Sequence, residues 1–589
     1  METRFNESFG GTMFDSFNWK GDEHVLVSAR LFEVERRRGE DDGRITNYRY
    51  GGLVMALNRD GSAAVELSAP ARRPGSSGVI LDILENSPHE VLMTARDRSG
   101  GLNVARVDIR TGDSVEILQG DRRTVRYHTD HNGEIVARVR EGLWGHRQMI
   151  ESRDPETGDW IKIAEITPGD LRDLNEFTVL GAAEAPGVLY VMVRPESGET
   201  PDTTAIHLYD MRERQLGEPL WRHESYDVAG MVTDQYDRFI AGCFRADVHR
   251  CEFQDDTLRA HMTGLSRFFE DSRDIFVASQ SRENDKWVLF VTGPDEPGTY
   301  YLYDLTARSV DVIGPAYGRV ALEGLGAMRR IDYAARDGTA LHGYLTWPGE
   351  AGGSAPPLIV MPHGGPEARD SLAYDPWVQF LATRGYAVFQ PNFRGSSGFG
   401  RAYVEAGHGQ WGRRMQDDIT DGVGALIEQG LADPARICIL GASYGGYAAL
   451  WGGAREPDLY RCVVSIAGVS DLPAIMRWER REQGAQSDAY DYWLTSIGDP
   501  RADRTRLDSV SPIRFVDEWR PPVLLIHGDE DQIVPHEQSR DMERALRRAG
   551  KDVRFITLEG EDHNDWRQDD HILALREIEA FLAEHLPVD

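Results

Sequence analysis

The sequence is poor in cysteine and in basic residues, and it has no long apolar run. Only four cysteines occur among 589 residues, without the CxxC spacing that is typical of zinc sites. No stretch approaches the roughly 18 apolar residues of a membrane-spanning helix. The start, METRFNESFGG, lacks the basic and apolar segments of a signal peptide. We therefore expect no metal, no cofactor and no membrane span. The expected location is the cytoplasm, or the periplasm or exterior if a leader was trimmed.

Positive charge is outweighed by negative charge. Lys and Arg number 66 against 97 Asp and Glu, which gives a formal net charge of −31. An acidic surface disfavours nucleic acid and anionic membranes, so neither is an expected partner. Adaptation to the solvent explains this charge more simply than a basic partner does. The hydrophobic content of 40% is that of an ordinary globular protein.

The four cysteines fall into two pairs in the sequence. Cys243 and Cys251 are close enough to face each other across a hairpin, but unpaired thiols are the expected state. Cys438 and Cys462 lie in apolar runs, where cysteine behaves as a small hydrophobic residue. We interpret these two as packing residues.

Residues 1–325 consist of short strand-like segments with little helical periodicity. An Asp recurs in the polar turn after a strand, at successive spacings of 48, 46, 56, 45 and 49 residues. A strand-only repeat of about 40–50 residues is typical of a propeller blade, whereas a β-sandwich would show this spacing only by accident. The sequence predicts an all-β propeller of six to seven blades. The recurring residues are Asp60, Asp108, Asp154, Asp210, Asp255 and Asp304.

Residues 326–589 have a different pattern, in which apolar strands alternate with helical segments. A hairpin-like segment at 329–348 comes first, and helical stretches include 415–429 and 538–549. Apolar strands separated by helices indicate a parallel sheet with helices on both faces. We predict an α/β-hydrolase domain over 326–589, with the domain boundary near residue 325.

The segment ICILGASYGGYAAL (437–450) predicts a nucleophilic serine. Gly441, Ser443 and Gly445 have the G-x-S-x-G spacing of a nucleophile elbow, between an apolar strand and a helix rich in small residues. The turn at such a serine is strained, and a Cβ at either flanking position would crowd a neighbouring strand or helix. The same turn places the N–H of Tyr444 at a helix N-terminus, where it can stabilise an oxyanion.

A serine nucleophile needs a base and an orienting acid, which follow it in the order Asp/Glu and then His in α/β-hydrolases. The strand in PVLLIHGDED leads to Asp531, and the strand in VRFITLEGEDH leads to His563. A metal site that combines the acidic cluster with His527 is an alternative, but no ligand spacing supports it. Nearby competitors for the role of the acid are Asp529, Glu530 and Asp562.

The loop after the strand LIVM contains HGGP (363–366). In this fold that loop supplies the second oxyanion donor, and glycine lets the backbone approach the substrate closely. Gly365 is the best candidate for this N–H. His363 lies on the wrong strand to be the base, and we interpret it as a structural partner.

Five segments resemble the prolyl oligopeptidase family of serine peptidases, and its acylaminoacyl-peptidase branch most closely. The resemblance is rich over 330–589 and rests on the strand repeat before that. It implies a propeller joined to an α/β-hydrolase domain, with the active site between them. It also implies a triad of Ser443, Asp531 and His563, with the N–H groups of Gly365 and Tyr444 as the oxyanion hole. The family pattern H-G-x-x-D-x-x-V-P selects Asp531 over Asp529. The segments are HGGP, NFRGSSGFG (392–400), GASYGGY (441–447), HGDEDQIVP (527–535) and GEDH (560–563).

The sequence departs from the family in several respects. Six repeats are one fewer than the seven blades that are common in the family. Relatives often carry Arg or Asn two residues after the catalytic Asp to bind a substrate carbonyl, and Ile533 occupies this position here. The paired Glu residues that hold a free N-terminus in the dipeptide-removing branch are not identifiable, which makes that activity less favoured.

Aromatic residues lie between the Ser and Asp strands, where cap elements insert in hydrolases. Trp478, Tyr492 and Trp493 are candidates for an apolar substrate pocket, although such aromatics more often belong to the core. We expect a serine peptidase that hydrolyses short peptides, of oligopeptidase or acylaminoacyl-peptidase type, through an acyl-enzyme on Ser443. A carboxylesterase or amidase is the alternative, and a binding propeller beside an inert hydrolase domain is a third. A homo-oligomer is as compatible with the sequence as a monomer.

Overall fold

The structure is a computed structural model that describes most of residues 12–588. The residues between these limits that are not described are 22, 36–46, 61, 68–77, 142–147, 155–156, 167–176, 235, 282, 319, 350–354, 486 and 565.

Six small antiparallel sheets, each built from consecutive strands, occupy the N-terminal half. Their central strands are buried on both sides; in β6, for example, Val91, Leu92 and Met93 are all inaccessible to solvent. Burial on both faces arises when sheets stack face to face. The predicted propeller is therefore confirmed, with six blades. The strands, sheet by sheet, are β1 Thr12–Lys20, β2 His24–Glu35, β3 Asn47–Asn58 and β4 Ala64–Leu67; β5 Val79–Asp82, β6 Glu90–Arg96, β7 Leu102–Asp108 and β8 Ser114–Leu118; β9 Thr124–Thr129, β10 Ile135–Glu141, β11 Gln148–Arg153 and β12 Trp160–Ile166; β13 Phe177–Ala182, β14 Val188–Val193, β15 Ala205–Asp210 and β16 Gln215–Arg222; β17 Val228–Thr233, β18 Phe239–Arg245 and β19 His249–Phe253; β20 Asp274–Gln280, β21 Lys286–Gly293, β22 Glu296–Asp304 and β23 Ser309–Pro315.

The fifth sheet has three strands, and a helix follows its last strand. This helix, α1 (Asp256–Phe268), begins at the N-cap residue Asp255 and buries His261 and Leu265. A cavity of about 810 Å³ lies between α1 and β19, and it is lined by polar and apolar side chains of both elements. In the chain order, helix α1 thus follows the third strand at the point where the other five sheets continue into a fourth strand.

An eight-stranded sheet forms the C-terminal half, in the order β24-β25-β27-β26-β28-β29-β30-β31. The first two strands form the predicted hairpin, and β26 to β31 run parallel to one another where they pair. Helices cover both faces of this sheet and form two apolar cores. The strands are β24 Ala327–Ala334, β25 Ala340–Trp347, β26 Leu358–Val360, β27 Ala387–Asn392, β28 Ile437–Ala442, β29 Cys462–Ile466, β30 Val523–Gly528 and β31 Val553–Leu558, and the helices are α2 Pro376–Ala382, α3 Arg401–Glu405, α4 Arg414–Glu428, α5 Tyr444–Arg455, α6 Leu472–Glu482, α7 Asp488–Ser496, α8 Arg504–Asp508, α9 Glu537–Arg548 and α10 Gln568–His585, with a 3₁₀ turn at Pro512–Phe515.

This arrangement confirms the predicted α/β-hydrolase fold. The last strand of the six sheets ends at Pro315 and the first strand of the large sheet begins at Ala327, so the predicted boundary near residue 325 falls between two sheets. None of the helices in the described ranges is long and apolar enough to cross a bilayer.

The expectation of unpaired thiols is wrong, because the structure joins both cysteine pairs in disulfides. Cys243 and Cys251 face each other on β18 and β19, with Cα atoms 4.0 Å apart. Cys438 and Cys462 are register partners on β28 and β29, with Cα atoms 4.8 Å apart. Partners in adjacent strands are close enough for a bridge, and the sequence alone does not reveal the register of the parallel pair.

Candidate active site

Ser443 occupies a strained turn between β28 and α5. Its φ of 59° and ψ of −121° lie outside the ordinary regions for a residue with a side chain. A Cβ on Gly441 would overlap the backbone of Gly445, and a Cβ on Gly445 would overlap the carbonyl of Pro362. Glycine is therefore required on both sides of the serine, and the turn has the geometry of a nucleophile elbow.

Asp531 and His563 meet at the carboxyl ends of β30 and β31. His563 Nδ1 lies 2.6 Å from Asp531 Oδ2, and the other carboxylate oxygen accepts the N–H groups of Ile533 and Val534, both at 2.8 Å. An ionised carboxylate only accepts, so His563 carries its proton on Nδ1 and leaves Nε2 free as a base.

A second histidine, His527 on β30, contacts the same carboxylate. Its Nε2 lies 3.1 Å from Asp531 Oδ2 and 2.8 Å from the carbonyl oxygen of Val534, while its Nδ1 lies 2.7 Å from Ser539 Oγ. A carbonyl oxygen only accepts, which places the His527 proton on Nε2. Burial would raise the pKa of Asp531, but hydrogen bonds from His527 and His563 outweigh burial and hold this pKa well below its usual range.

The competing acidic residues serve other purposes. Asp529 accepts the backbone N–H of Gly560 at 2.6 Å, which fixes the turn after β31. Asp562 accepts the N–H of Asn564 at 2.9 Å. The side chain of Glu530 is exposed. Of the carboxylates considered, Asp531 is the one in contact with His563.

The predicted oxyanion donors belong to two segments: Gly365 lies in the loop after β26, and Tyr444 is the first residue of α5. Gly364 packs against the elbow, because a Cβ on it would lie 3.5 Å from the Ser443 Cβ. The N–H groups of Gly365 and Tyr444 donate to no acceptor within the described residues, and Gly365 is exposed. Two unengaged N–H groups beside a serine can stabilise an oxyanion.

Ser443 and His563 do not share a hydrogen bond within the part of the chain that is described. Both are partly exposed at the same edge of the sheet, which is the edge where β28, β30 and β31 end. Hydrogen bonds between a nucleophile and its base are often long before substrate binds.

His363 is a structural residue, as the sequence indicated. Its ring stacks on Phe393 with centroids 4.3 Å apart, and its nitrogens contact the Gly364 carbonyl at 2.7 Å and Ser396 Oγ at 2.8 Å. Burial lowers the pKa of His363 to about 4, so the ring is neutral at neutral pH.

The three predicted pocket aromatics have different surroundings. Trp478 and Trp493 pack against the main core of the hydrolase domain. Tyr492 contacts Trp493 edge-on at 4.9 Å. Burial raises the pKa of Tyr492, and the charge of the nearby Glu367 raises it further. Ile533 is 42% exposed beside Asp531, so its side chain is accessible to a substrate.

The propeller holds the loop that follows Gly365. Arg369 donates to the carbonyl oxygens of Arg245 and Ala246 at 2.8 and 2.7 Å, and its guanidinium lies 3.9 Å from the centroid of the Phe399 ring. Asp247 accepts the N–H of Leu372 through its carbonyl at 2.8 Å. The tip of the β18–β19 hairpin is thereby tied to the oxyanion loop.

Asp247 also binds the first hairpin of the hydrolase domain. Its Oδ1 accepts Arg330 Nη1 and the Tyr344 hydroxyl, both at 2.8 Å. Further contacts join the domains at Asp202, which accepts the N–H groups of Arg401 and Ala402 at 3.1 and 2.7 Å. Sequence reasoning considered His527 only as a ligand in the metal alternative, and it did not identify Arg369 or Asp247, because their roles depend on tertiary contacts. The available signals were the position of His527 within HGDED and of Arg369 three residues after HGGP.

Three potential metal ligands, Cys243, His249 and Cys251, have donor atoms within 4.8 Å of one another in the described residues. The two cysteines form a disulfide, so they offer no thiolate. The acidic cluster near His527 does not form such a group among those residues.

Comparisons with known proteins agree with this geometry. The profile of the prolyl oligopeptidase family matches residues 373–588. The dipeptidyl peptidase family member 6 of Caenorhabditis elegans is 30% identical over 589 residues, which cover 94% of this chain and 77% of that protein. The chain belongs to the prolyl oligopeptidase family. A second member, dipeptidyl aminopeptidase BIII of Pseudoxanthomonas mexicana, is 27% identical and covers 84% of this chain and 79% of its own length.

Solved structures with the fold of the prolyl oligopeptidase family align over nearly the whole chain. A puromycin-hydrolyzing peptidase of Mycobacterium tuberculosis has a TM-score of 0.67 at 20% identity, covering 98% of this chain and 94% of its own. The acylaminoacyl peptidase of Pyrococcus horikoshii has a TM-score of 0.65 at 16% identity, and the alignment covers 98% of this chain and 96% of that chain. This family member is a serine peptidase, and the carboxylesterase alternative is not favoured.

Proposed function

We propose that this peptidase cleaves short peptides through an acyl-enzyme on Ser443, with His563 as general base and Asp531 as the acid that orients it. The contact between His563 Nδ1 and Asp531 Oδ2 at 2.6 Å carries this assignment. It leaves His563 Nε2 free to take the proton of a hydroxyl at the same edge of the sheet.

The proposed reaction has two steps. The Ser443 hydroxyl passes its proton to His563 Nε2 as Oγ attacks the peptide carbonyl, and the resulting oxyanion lies between the N–H groups of Gly365 and Tyr444. The C–N bond then breaks, the amine takes the proton from His563, and the acyl group stays on Ser443. A water molecule, activated by His563, releases the acid and restores the hydroxyl.

Asp531 is suited to this role because it stays ionised. It accepts two backbone N–H groups and faces two histidines. Such a carboxylate favours one tautomer of His563 and stabilises the imidazolium as it forms. Its lowered pKa keeps it negative throughout the neutral range.

We further propose that residues 1–325 and 326–589 act as two domains, and that the propeller restricts the site to short peptides. The contacts of Asp247 and Arg369 are consistent with this, since they fix the propeller against the loop beside Gly365. The names of relatives, which include dipeptidyl and acylamino-acid-releasing enzymes, favour short or N-terminal peptide substrates.

The decisive experiment compares wild type with Ser443→Ala on peptide p-nitroanilides and on a folded protein. Removal of a comparable nucleophile costs on the order of 10⁶ in kcat. Wild type should cleave the anilides and spare the folded protein. A tenth of wild-type activity left in Ser443→Ala would exclude Ser443 as the nucleophile, and equal rates on the folded protein would exclude size restriction.

A further inference from the structure

Glu367 lies immediately beside the proposed oxyanion hole. It follows Gly365 by two residues, so their Cα atoms are at most about 7.6 Å apart. The turn is tight, because a Cβ on Gly365 would come within 2.6 Å of the Glu367 nitrogen. Gly364 in turn packs against Ser443. A substrate whose carbonyl oxygen binds Gly365 therefore has Glu367 within reach of its neighbouring groups.

Helix α7 brings two aromatic residues to this point. The Tyr492 hydroxyl lies near the Glu367 carboxylate: burial raises the pKa of Tyr492, and the charge of Glu367 raises it further. Trp493 lies 6.1 Å from Trp411, whose ring contacts Tyr444 at 4.6 Å, next to the serine. The wall between Glu367 and Tyr444 is therefore largely aromatic.

The Glu367 carboxylate lacks its full set of donors. Its Oε1 is shielded from solvent and receives no hydrogen bond from any described residue. His408 Nε2 lies 3.5 Å from this Oε1, and the Glu367 side chain remains 23% exposed. No Lys or Arg side chain in the described ranges forms an ion pair with it. A buried carboxylate oxygen without a donor is costly, and a ligand that supplies one relieves that cost.

A second acidic residue lies near Trp493. Glu479 on α6 is buried beside Trp493. Burial raises the pKa of Glu479 to about 7, so a nearby cation would favour its ionised form.

We propose that Glu367, with Tyr492 and Trp493, forms a substrate pocket that binds a cationic group, an ammonium or a guanidinium. This rests on the proposed function and replaces the apolar pocket expected for these aromatics. The carboxylate accepts the hydrogen bonds of the cation, and aromatic faces attract it further. The cation is either the side chain of a Lys or Arg whose carbonyl is attacked or the free N-terminus of a short peptide.

The test uses pairs of N-acylated dipeptide p-nitroanilides that differ in charge but hardly in shape at the attacked residue: Lys against norleucine, and Arg against citrulline. Wild type should favour the cationic member of each pair in kcat/KM by about 10–100-fold, the factor that a charge-assisted hydrogen bond provides. A third pair keeps norleucine at the attacked residue and differs only at the N-terminus, which is free in one member and acetylated in the other. A preference confined to this pair identifies the N-terminal ammonium as the ligand.

Glu367→Gln should lower these preference ratios by about 10–100-fold. Glu367→Asp keeps the charge and should preserve part of the preference. This variant therefore separates loss of the charge from misfolding caused by substitution at this position. Glu482→Gln is the matched control, because Glu482 ends the same helix as Glu479 but is exposed and paired with Arg481 at 2.7 Å; it should leave the ratios unchanged. A second readout is the ratio of inhibition constants for benzamide and benzamidine, which Glu367→Gln should also lower.

Wild type without a preference in any pair, or a preference that survives in Glu367→Gln, would overturn the proposal. An equal loss on both members of each pair would also overturn it, since that result indicates a structural role. If wild type hydrolyses the norleucine substrate and Ser443→Ala does not, the proposed function stands even when the pocket proposal fails. The two failures are therefore distinguishable.

Discussion

The Oδ2 atom of Asp531 is shared by two histidines, His563 at 2.6 Å and His527 at 3.1 Å. Asp531→Asn keeps the shape but presents an amide to His563, which favours the wrong tautomer. We expect kcat to fall on the order of 10⁴-fold, with little change in KM. Steady-state kinetics on a peptide p-nitroanilide measure this loss.

Asp529→Asn is the matched control for this change, because the Asp529 carboxylate binds the turn at Gly560 instead of His563. It should cost far less activity. A reversal of the two losses would show that the acid has been assigned to the wrong residue.

Arg369→Lys should slow catalysis without unfolding the protein. Arg369 reaches two carbonyl oxygens of the propeller at once, and a lysine ammonium lacks the fork that spans both. The loop after Gly365 would then be less firmly placed, and we expect kcat to fall about tenfold while the thermal midpoint and KM for a short anilide change little. Arg273→Lys, at the Asp295 ion pair of the propeller, is the control and should leave kcat unchanged. A change in KM alone would contradict the positioning role.

Asp370 should make stability depend on pH. It is partly buried with its Oδ2 shielded from solvent, its Oδ1 accepts Gln390 Nε2 at 2.9 Å, and neither Asp370 Oδ2 nor Gln390 Oε1 has a partner among the described residues. Burial raises the pKa of Asp370 to about 8, above the value of about 3.9 in an unfolded chain. The folded state therefore binds the extra proton between these pH values, and its stability falls as pH rises from about 4 to 8 and is level above.

Asp370→Asn replaces this acid with an amide that does not titrate. The difference in thermal midpoint between variant and wild type should shift in favour of the variant as pH rises from 5 to 8. Asp332→Asn, at an exposed carboxylate on β24, should show no such trend. A constant difference across this range would mean that Asp370 is ionised throughout.

Ile533→Arg tests the position that binds a substrate carbonyl in relatives. The added charge-assisted hydrogen bond is worth roughly 1.5–3 kcal/mol, so kcat/KM for peptides should rise by at most about 10–100-fold. Hydrolysis of a p-nitrophenyl ester should change little, since its better leaving group reduces the need for backbone anchoring. Wild type should accordingly show a high ratio of esterase to peptidase activity. An equal effect on both substrates, or a loss on peptides in a folded variant, would place Ile533 outside the carbonyl site.

The propeller was predictable because its turns are chemically alike. Each of the six recurring Asp residues accepts a backbone N–H two or three residues further on, as Asp108 does from Arg110 at 2.8 Å and Asp255 from Thr257 at 2.9 Å. Local hydrogen bonds of this kind leave a pattern in the sequence. The elbow at Ser443 was predictable for the same reason, since its glycines are required by the local backbone.

Features that depend on distant parts of the chain were not predictable in this way. The pairing of Cys438 with Cys462 depends on the register of two parallel strands. The contact between Arg369 and the β18–β19 hairpin joins residues that are more than 120 positions apart. The acidic character of the pocket at Tyr492 arises from Glu367, which comes from a loop before the serine. Composition and local spacing carry no information on such contacts.

The helix beside the fifth sheet affects whether the protein can self-associate through the edge of that sheet. An outermost strand with unsatisfied carbonyls invites another chain to pair with it and begin an aggregate. Here the guanidinium of Arg259 on α1 donates to the carbonyl oxygens of Phe253 and Gln254, both at 3.0 Å. Phe253 is the last residue of β19, whereas Gln254 directs its N–H to Ile240 on β18. The Phe253 carbonyl is therefore occupied without a fourth strand and is not available to pair with the edge of another chain.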